Sequence, residues 1–237
     1  MRAVPDFGQQ HLSSPPTALG VDWLDVVPPV AQLPELIEPA EFPRVVDPST
    51  EPLVPVEHPR ISVVEAYREA GWSAAQRGVW LRSSAMQRLA NVADGLPHSW
   101  GLHVFDAWRP LDLQAELYTA AYADPMLPPG FVSEPNQDPQ TPPPHLTGGT
   151  VDLTLTYDGI PLSLGTAFDD FTSAARADSL ESSPSVARDL RRMLFWAMRT
   201  QGFVVLDCEW WHFEYGTRRW AAITDSTPLF GPAAPPE

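Results

Sequence analysis

Two short stretches carry side chains able to hold and use a divalent cation. Glu209-Trp210-Trp211-His212 offers a carboxylate and an imidazole. His145-Leu146-Thr147-Gly148-Gly149-Thr150-Val151-Asp152 offers an imidazole and a carboxylate seven residues apart. Two imidazoles and one carboxylate fill three positions of a tetrahedral zinc ion, leave the fourth open to water, and leave one carboxylate over as a base. His145, Asp152 and His212 are therefore the candidate ligands, with one zinc ion per chain, and Glu209 is the candidate base. The remaining histidines, His11, His58, His98 and His103, have no such surroundings and read as ordinary hydrogen-bonded or surface residues. Cys208 is adjacent to Glu209, but three better ligands already exist.

The spacing constrains the elements that must position these groups. The Gly148-Gly149 pair permits a turn that brings His145 and Asp152 to one point. Glu209 and His212 are three apart, so on a regular strand they would face opposite ways. The chain must turn or bulge at Trp210-Trp211, which puts Glu209 on the entering loop, near the metal without ligating it, and His212 at the start of a strand. Trp210 and Trp211 read as packing residues and Glu214 as a solvated strand residue.

Around these stretches, Val151-Asp152-Leu153-Thr154-Leu155-Thr156 alternates apolar and polar residues with period two, a strand with one face of each kind. Tyr157-Asp158-Gly159 is a turn, and a second strand is expected near Ile160–Leu164. Leu102–Phe105 and Phe203–Leu206 read as further short strands. A helix capped by Ser83 or Ser84 has Met86, Leu89, Ala90 and Ala93 on its apolar face. Pro110 opens another, and Ser183-Pro184 starts a third, whose stripe is Val186, Leu190, Met193, Leu194, Ala197 and Met198. The fold class expected is α+β, a small antiparallel sheet with helices packed on one side. Residues 125–144 contain eight prolines and lead directly into His145; so long a loop in a compact domain suits a lid.

Length and composition bound the rest. The 237 residues are 43% hydrophobic, enough for one domain with a substantial core. Residues 1–59 hold 12 of the 28 prolines and nine acidic residues. They read as an acidic, proline-rich arm, partly packed through Trp23, Leu24, Val26, Val27, Leu33, Leu36 and Ile37, with residues 1–20 open between packing and disorder. Residues 60–224 form the expected catalytic domain and 225–237 a proline-rich tail. The net charge is −15 and every basic residue is arginine. Such a surface repels nucleic acid and anionic membrane, so neither is an expected partner. No apolar run is long enough to span a membrane. With no apolar leader and a single cysteine, the expected location is the cytoplasm.

The residues also carry a family resemblance. His145-x6-Asp152 with Glu209-Trp210-Trp211-His212 resembles the D-alanyl-D-alanine dipeptidases of the VanX type, relatives of zinc D,D-carboxypeptidases with a hedgehog-like fold. Asp106-Ala107-Trp108-Arg109-Pro110 is similar to that family's Asp-x-Tyr-Arg-Pro segment, and Gly165-Thr166-Ala167-Phe168-Asp169 to its Gly-x-x-Phe-Asp segment. The resemblance covers about residues 60–220. It implies a zinc peptidase for a small dipeptide, with Arg109 stabilising the transition state and Asp169 holding the substrate's amino group. On the residues alone, the favoured reading of Arg109 is a structural partner of Asp106, and Asp169 reads as a turn cap with Asp170 as its competitor. The chain departs from the pattern at Pro143, Thr150 and Leu206, where the family has Ser, Ala and Tyr, and at Trp108 for Tyr. The resemblance leaves two alternatives: a carboxypeptidase or endopeptidase on peptidoglycan peptides, and a zinc-binding module without turnover.

Overall fold

The computed structural model describes residue 7, residues 9–127 and residues 130–236. Residues 1–6 and 8 of the arm, and Pro128 and Pro129 of the proline loop, lie outside the described residues. In chain order the regular elements are α1 (Trp23–Val26), β1 (Leu53–Pro55), β2 (Ile61–Val63), α2 (Ala66–Glu69), β3 (Trp80–Arg82), α3 (Ser83–Gly95), β4 (Trp100–Asp106), α4 (Leu111–Ala121), β5 (Thr150–Tyr157), β6 (Ile160–Pro161), α5 (Val186–Thr200), β7 (Val204–Leu206), β8 (Glu209–Glu214) and α6 (Arg218–Thr224). The main sheet has the order β2-β4-β5-β8-β7, with β6 paired to β5, and β1 with β3 forms a small second sheet. The fold is the α+β class expected. One pair, β2 with β4, runs parallel, while every other ladder is antiparallel.

Strand β5 is the axis of the sheet. Its alternation persists in the structure, but both faces are covered. Val151, Leu153 and Leu155 are fully buried. On the other face the Thr154 hydroxyl donates to the Leu162 carbonyl at 2.6 Å, which meets the need of a buried hydroxyl for a partner. The next strand is shorter than expected, Ile160–Pro161, although Leu162 still donates its N–H to the Leu155 carbonyl beyond it.

Helix α5 begins two residues later than Ser183-Pro184 suggested, where Ser185 accepts a hydrogen bond from the Arg188 N–H; Leu190, Met193, Leu194 and Met198 of the predicted stripe are buried, Val186 and Ala197 are half-buried, and Arg191 and Phe195 are buried beside them. Helix α3 forms where expected, but neither serine is its cap: Ser83 and Ser84 are its first two residues, Arg82 precedes them, and the capping group is remote. The Glu51 carboxylate accepts from the Ser84 N–H at 2.7 Å and from both serine hydroxyls. An anion at a helix N-terminus satisfies free donors and complements the dipole.

The N-terminal segment lies on this body over the residues described. Leu12, Trp23 and Leu33 are buried, whereas Leu24 and Ile37 are exposed. The Trp23 ring packs against Trp100 and Tyr157. Ser14 pairs with the β6 edge, donating to Pro161 and accepting from Ser163. The C-terminal segment is equally held: Phe230 is fully buried, Ala233 donates to the Leu146 carbonyl, and the Trp108 indole donates to the Ala233 carbonyl.

Candidate metal centre

Antiparallel pairing of β5 with β8 sets Asp152 directly opposite His212. Between β7 and β8 the register slips, from Val205↔Phe213 to Leu206↔Glu209. Residues 210–212 are the extra length. A bulge of this kind re-aims side chains, and here it lets Glu209 and His212 converge although they are three apart: Glu209 Oε2 lies 3.6 Å from His212 Nδ1. The break falls where the spacing required it, but Glu209 is the first residue of β8 and not part of a loop, and His212 lies in the middle of that strand and not at its start.

His145 arrives by a different route. It opens a 3₁₀ turn, His145–Thr147, which Gly148 closes in the left-handed region at φ 72°. Gly149 follows with no room for a side chain: a Cβ there would stand 2.3 Å from the Tyr215 carbonyl oxygen. The glycine pair therefore both reverses the chain and lets it press against the strand that carries His212.

The three candidate ligands meet. His145 Nε2 lies 3.3 Å from Asp152 Oδ2, and His212 Nδ1 lies 3.0 Å from Asp152 Oδ1. The two imidazole rings are 5.0 Å apart. All three residues are buried, and one ligating atom from each lies within 4.8 Å of the others. The outer nitrogens are occupied. His145 Nδ1 donates to the Ala107 carbonyl at 2.6 Å, and His212 Nε2 faces Glu214 Oε1 at 3.1 Å. Those partners put the proton on the outer nitrogen of each ring and turn the inner lone pair toward Asp152. Asp152 Oδ1 is buried without an aligned hydrogen bond despite the near imidazole. Lone pairs crowded together but not hydrogen-bonded to one another are what a cation would reconcile.

The electrostatics point the same way. Burial pushes the Glu209 carboxyl up to about 8. Burial, reinforced by Asp152, does the same to Asp169, again to about 8. For His212 burial opposes protonation, but the carboxylates of Asp152 and Glu214 outweigh it and lift the imidazole to about 10. The pocket thus gathers carboxylates in excess and stabilises positive charge at the imidazole. A divalent cation between the ligands supplies that charge and inverts the local preference for neutral carboxyls.

Arg109 is held as its structural reading requires, and it also borders the candidate pocket. Its Nε donates to Asp106 at 2.8 Å, as a structural partner would, and its terminal nitrogen lies 3.6 Å from Asp152 Oδ2. It also donates to the Tyr67 hydroxyl and to Gln114 Oε1, and Gln114 passes a hydrogen bond on to the Ser133 carbonyl at 2.6 Å. Asp169 is buried, adopts a left-handed φ of 58°, and has one oxygen, Oδ2, without a partner. The strain is held by Phe168, whose ring stacks on Phe105 at 4.7 Å and meets Trp211 edge-on. Asp169 lines the pocket with Arg109, His145, Asp152, Glu209 and His212, whereas Asp170 does not. Phe131, Val132 and Ser133 of the proline loop border the same pocket, as do Phe7 and Phe171.

Glu214 corrects the sequence reading. Expected in solvent, it is 1% exposed and hydrogen-bonded to His212, Thr217 and Arg219. Position two beyond His212 on a strand shares its face, and that signal was present in the sequence. Tyr67 and Gln114 carried no such signal. Trp210 and Trp211 are core residues as expected, the former donating to Thr166. Cys208 has its thiol pushed up to about 12 by burial and takes no part in the ligand group.

A family model described as D-ala-D-ala dipeptidase, Peptidase_M15, matches residues 74–227. A D-alanyl-D-alanine dipeptidase of Synechocystis sp. is 28% identical over 209 residues, covering 72% of this chain and 84% of that protein. One of Escherichia coli is 33% identical over 114 residues, 48% of this chain and 54% of that protein. The match spans the turn carrying His145, the strand carrying Asp152 and the bulge carrying Glu209 and His212, so the chain belongs to the D-Ala-D-Ala dipeptidase family of metallopeptidases.

Proposed function

We propose that the chain is a zinc-dependent dipeptidase that hydrolyses D-alanyl-D-alanine to two molecules of D-alanine. The observation that carries this reading is the buried, unpartnered carboxylate oxygen of Asp169 in the same pocket as the His145–Asp152–His212 group. A buried carboxylate without a partner is costly, and an ammonium group from the substrate's N-terminus would satisfy it. The family membership and the two dipeptidase relatives support the same substrate.

His145, Asp152 and His212 would hold the metal. Zinc, when bound, polarises a carbonyl and acidifies a water molecule. Glu209, 3.6 Å from His212 Nδ1 and not needed as a ligand, accepts the proton of the attacking water and delivers it to the departing amine. Arg109, fixed by Asp106, Tyr67 and Gln114, presents its guanidinium to the oxygen on which negative charge develops. Asp169 anchors the free amino group one residue from the scissile bond. Residues 131–133 with Phe7 and Phe171 wall the pocket and so limit substrate length. A cytoplasmic location fits a chain with one unpaired cysteine.

The test compares D-Ala-D-Ala with its N-acetylated form. The acetyl group removes the positive charge and adds bulk against Asp169. The free dipeptide is expected to have a kcat/KM higher by at least about 100-fold, the range set by leaving a buried charge without its partner. Asp169→Ala should shrink that preference by crippling the free dipeptide most. Equal values for the two peptides overturn the assignment; preference for the capped peptide indicates a carboxypeptidase, and cleavage of neither indicates a binding module.

A further inference from the structure

Glu214 is a buried carboxylate with both of its oxygens engaged. Oε1 faces His212 Nε2 at 3.1 Å and receives the Arg219 Nε–H at 3.0 Å. Oε2 accepts the Thr217 hydroxyl, and Thr217 is itself the cap of α6, its side chain accepting from the Trp220 N–H. Arg219 continues outward to Glu38 of the N-terminal segment. A buried ion pair retained only as filler is replaceable by apolar residues of similar size with little loss or even a gain in stability. This one is aimed: at the edge of the same pocket, it meets the outer nitrogen of a candidate metal ligand.

We propose that Glu214 is a positioning residue of the metal centre, fixing the tautomer and ring plane of His212 so that Nδ1 points at the ion beside Asp152. The inference rests on the metal-centre reading given above. The carboxylate holds the proton on Nε2, keeps the Nδ1 lone pair free, and strengthens that nitrogen as a donor. Thr217 and Arg219 hold the carboxylate in turn, so the start of α6 sets the ring through one intermediate side chain.

The test is metal affinity, measured by competition of zinc between the full-length protein and a chromophoric chelator. Glu214→Leu removes the partner and is expected to weaken zinc binding about 10- to 100-fold. Glu214→Gln keeps an acceptor of the same shape without the charge and is expected to fall between that variant and the native protein. Cobalt-loaded Glu214→Gln adds a readout independent of turnover, a change in the visible bands that report ligand geometry. A purely structural role would instead lower the thermal midpoint of the metal-free protein and leave affinity and cobalt spectrum unchanged in Glu214→Gln; that result overturns the proposal. His212→Ala is the control. If it binds zinc as tightly as the native protein, the metal-centre reading itself fails. If it loses the metal while both Glu214 variants bind as the native protein does, the positioning role alone fails.

Discussion

The two candidate ligand histidines are equally buried and only 5.0 Å apart, yet the chain secures them by opposite means. His145 sits on a 3₁₀ turn, and its outer nitrogen donates to a main-chain carbonyl, Ala107. His212 sits within a strand, and its outer nitrogen meets a side chain, Glu214. No substitution deletes a carbonyl, so the His145 side is vulnerable chiefly through the path of the backbone, although the Asp106 carboxylate also stands 3.5 Å from His145 Nδ1. That path depends on Gly148 and Gly149. The His212 side has the more robust backbone, flanked by β5 and β7, and its vulnerability lies in side-chain chemistry. One half of the centre is thus guarded by fold and the other by charge.

Removing a ligand abolishes the comparison and should have the largest effect. His145→Ala, Asp152→Ala and His212→Ala are each expected to lose metal affinity by more than the roughly 10- to 100-fold that loss of an outer partner costs. Elemental analysis of the purified variants checks this, and full occupancy in all three would sink the ligand assignment. Next in size is Glu209→Gln, which touches neither guard. Metal should stay bound while kcat falls by about 10² or more; loss of the metal would instead make Glu209 a ligand.

Gly149→Ala attacks the backbone-guarded side alone. Its Cβ would stand 2.3 Å from the Tyr215 oxygen and 2.7 Å from the Phe230 ring, so the turn must shift. Overpacking of this kind costs about 1–3 kcal/mol, which for a chain of this length lowers the thermal midpoint by about 2–12 °C. Metal affinity should fall with it, whereas on the charge-guarded side the two should separate. A Gly149→Ala protein that melts as the native one does would show that the close approach is not needed. The smallest effect expected is that of Gln114→Ala, which cuts the link from Arg109 to the Ser133 carbonyl and leaves both histidines untouched. Loss of one hydrogen bond to a charged group predicts a decrease in kcat/KM of about 10-fold, with unchanged metal content as the check.

The contrast also explains what could be read in the sequence. Ligation demands particular residue types, and those are scarce: six histidines and one cysteine in the whole chain. His145, Asp152, His212 and Glu209 could therefore be picked out before any fold was known. The centre of the α5 stripe, Leu190, Met193, Leu194 and Met198, was equally legible from local periodicity, whereas the burial of Arg191 and Phe195 was not. The outer layer was not. Period two did place Glu214 on the face of His212, but the partners that bury it there, Thr217, Arg219 and the segment carrying Glu38, are brought together by the fold and not by that pattern. Glu51, which caps α3 from 32 and 33 residues away, was missed for the same reason. Strand β2 has three residues, too few for alternation to show, and so its parallel pairing with β4 was invisible.

The segment that follows α6 has a consequence for biosynthesis. Ala233 donates to Leu146 beside His145, Phe230 fills the space against Gly149 and Gly216, and Arg82 reaches across 149 residues to the Gly231 carbonyl. The turn that aims His145 is thus packed by chain synthesised about 90 residues after it. At a translation rate of about 5–20 residues per second, that chain arrives roughly 4–18 s after the histidine has been made. The nascent protein should therefore pass through an interval in which all three candidate ligands have been made while the seat of one is still unfinished. Ribosome-arrested chains that end before residue 229 are expected to take up zinc weakly, and those extended past residue 233 and clear of the exit tunnel to hold it tightly. Equal uptake by both would show that the turn closes without its downstream support.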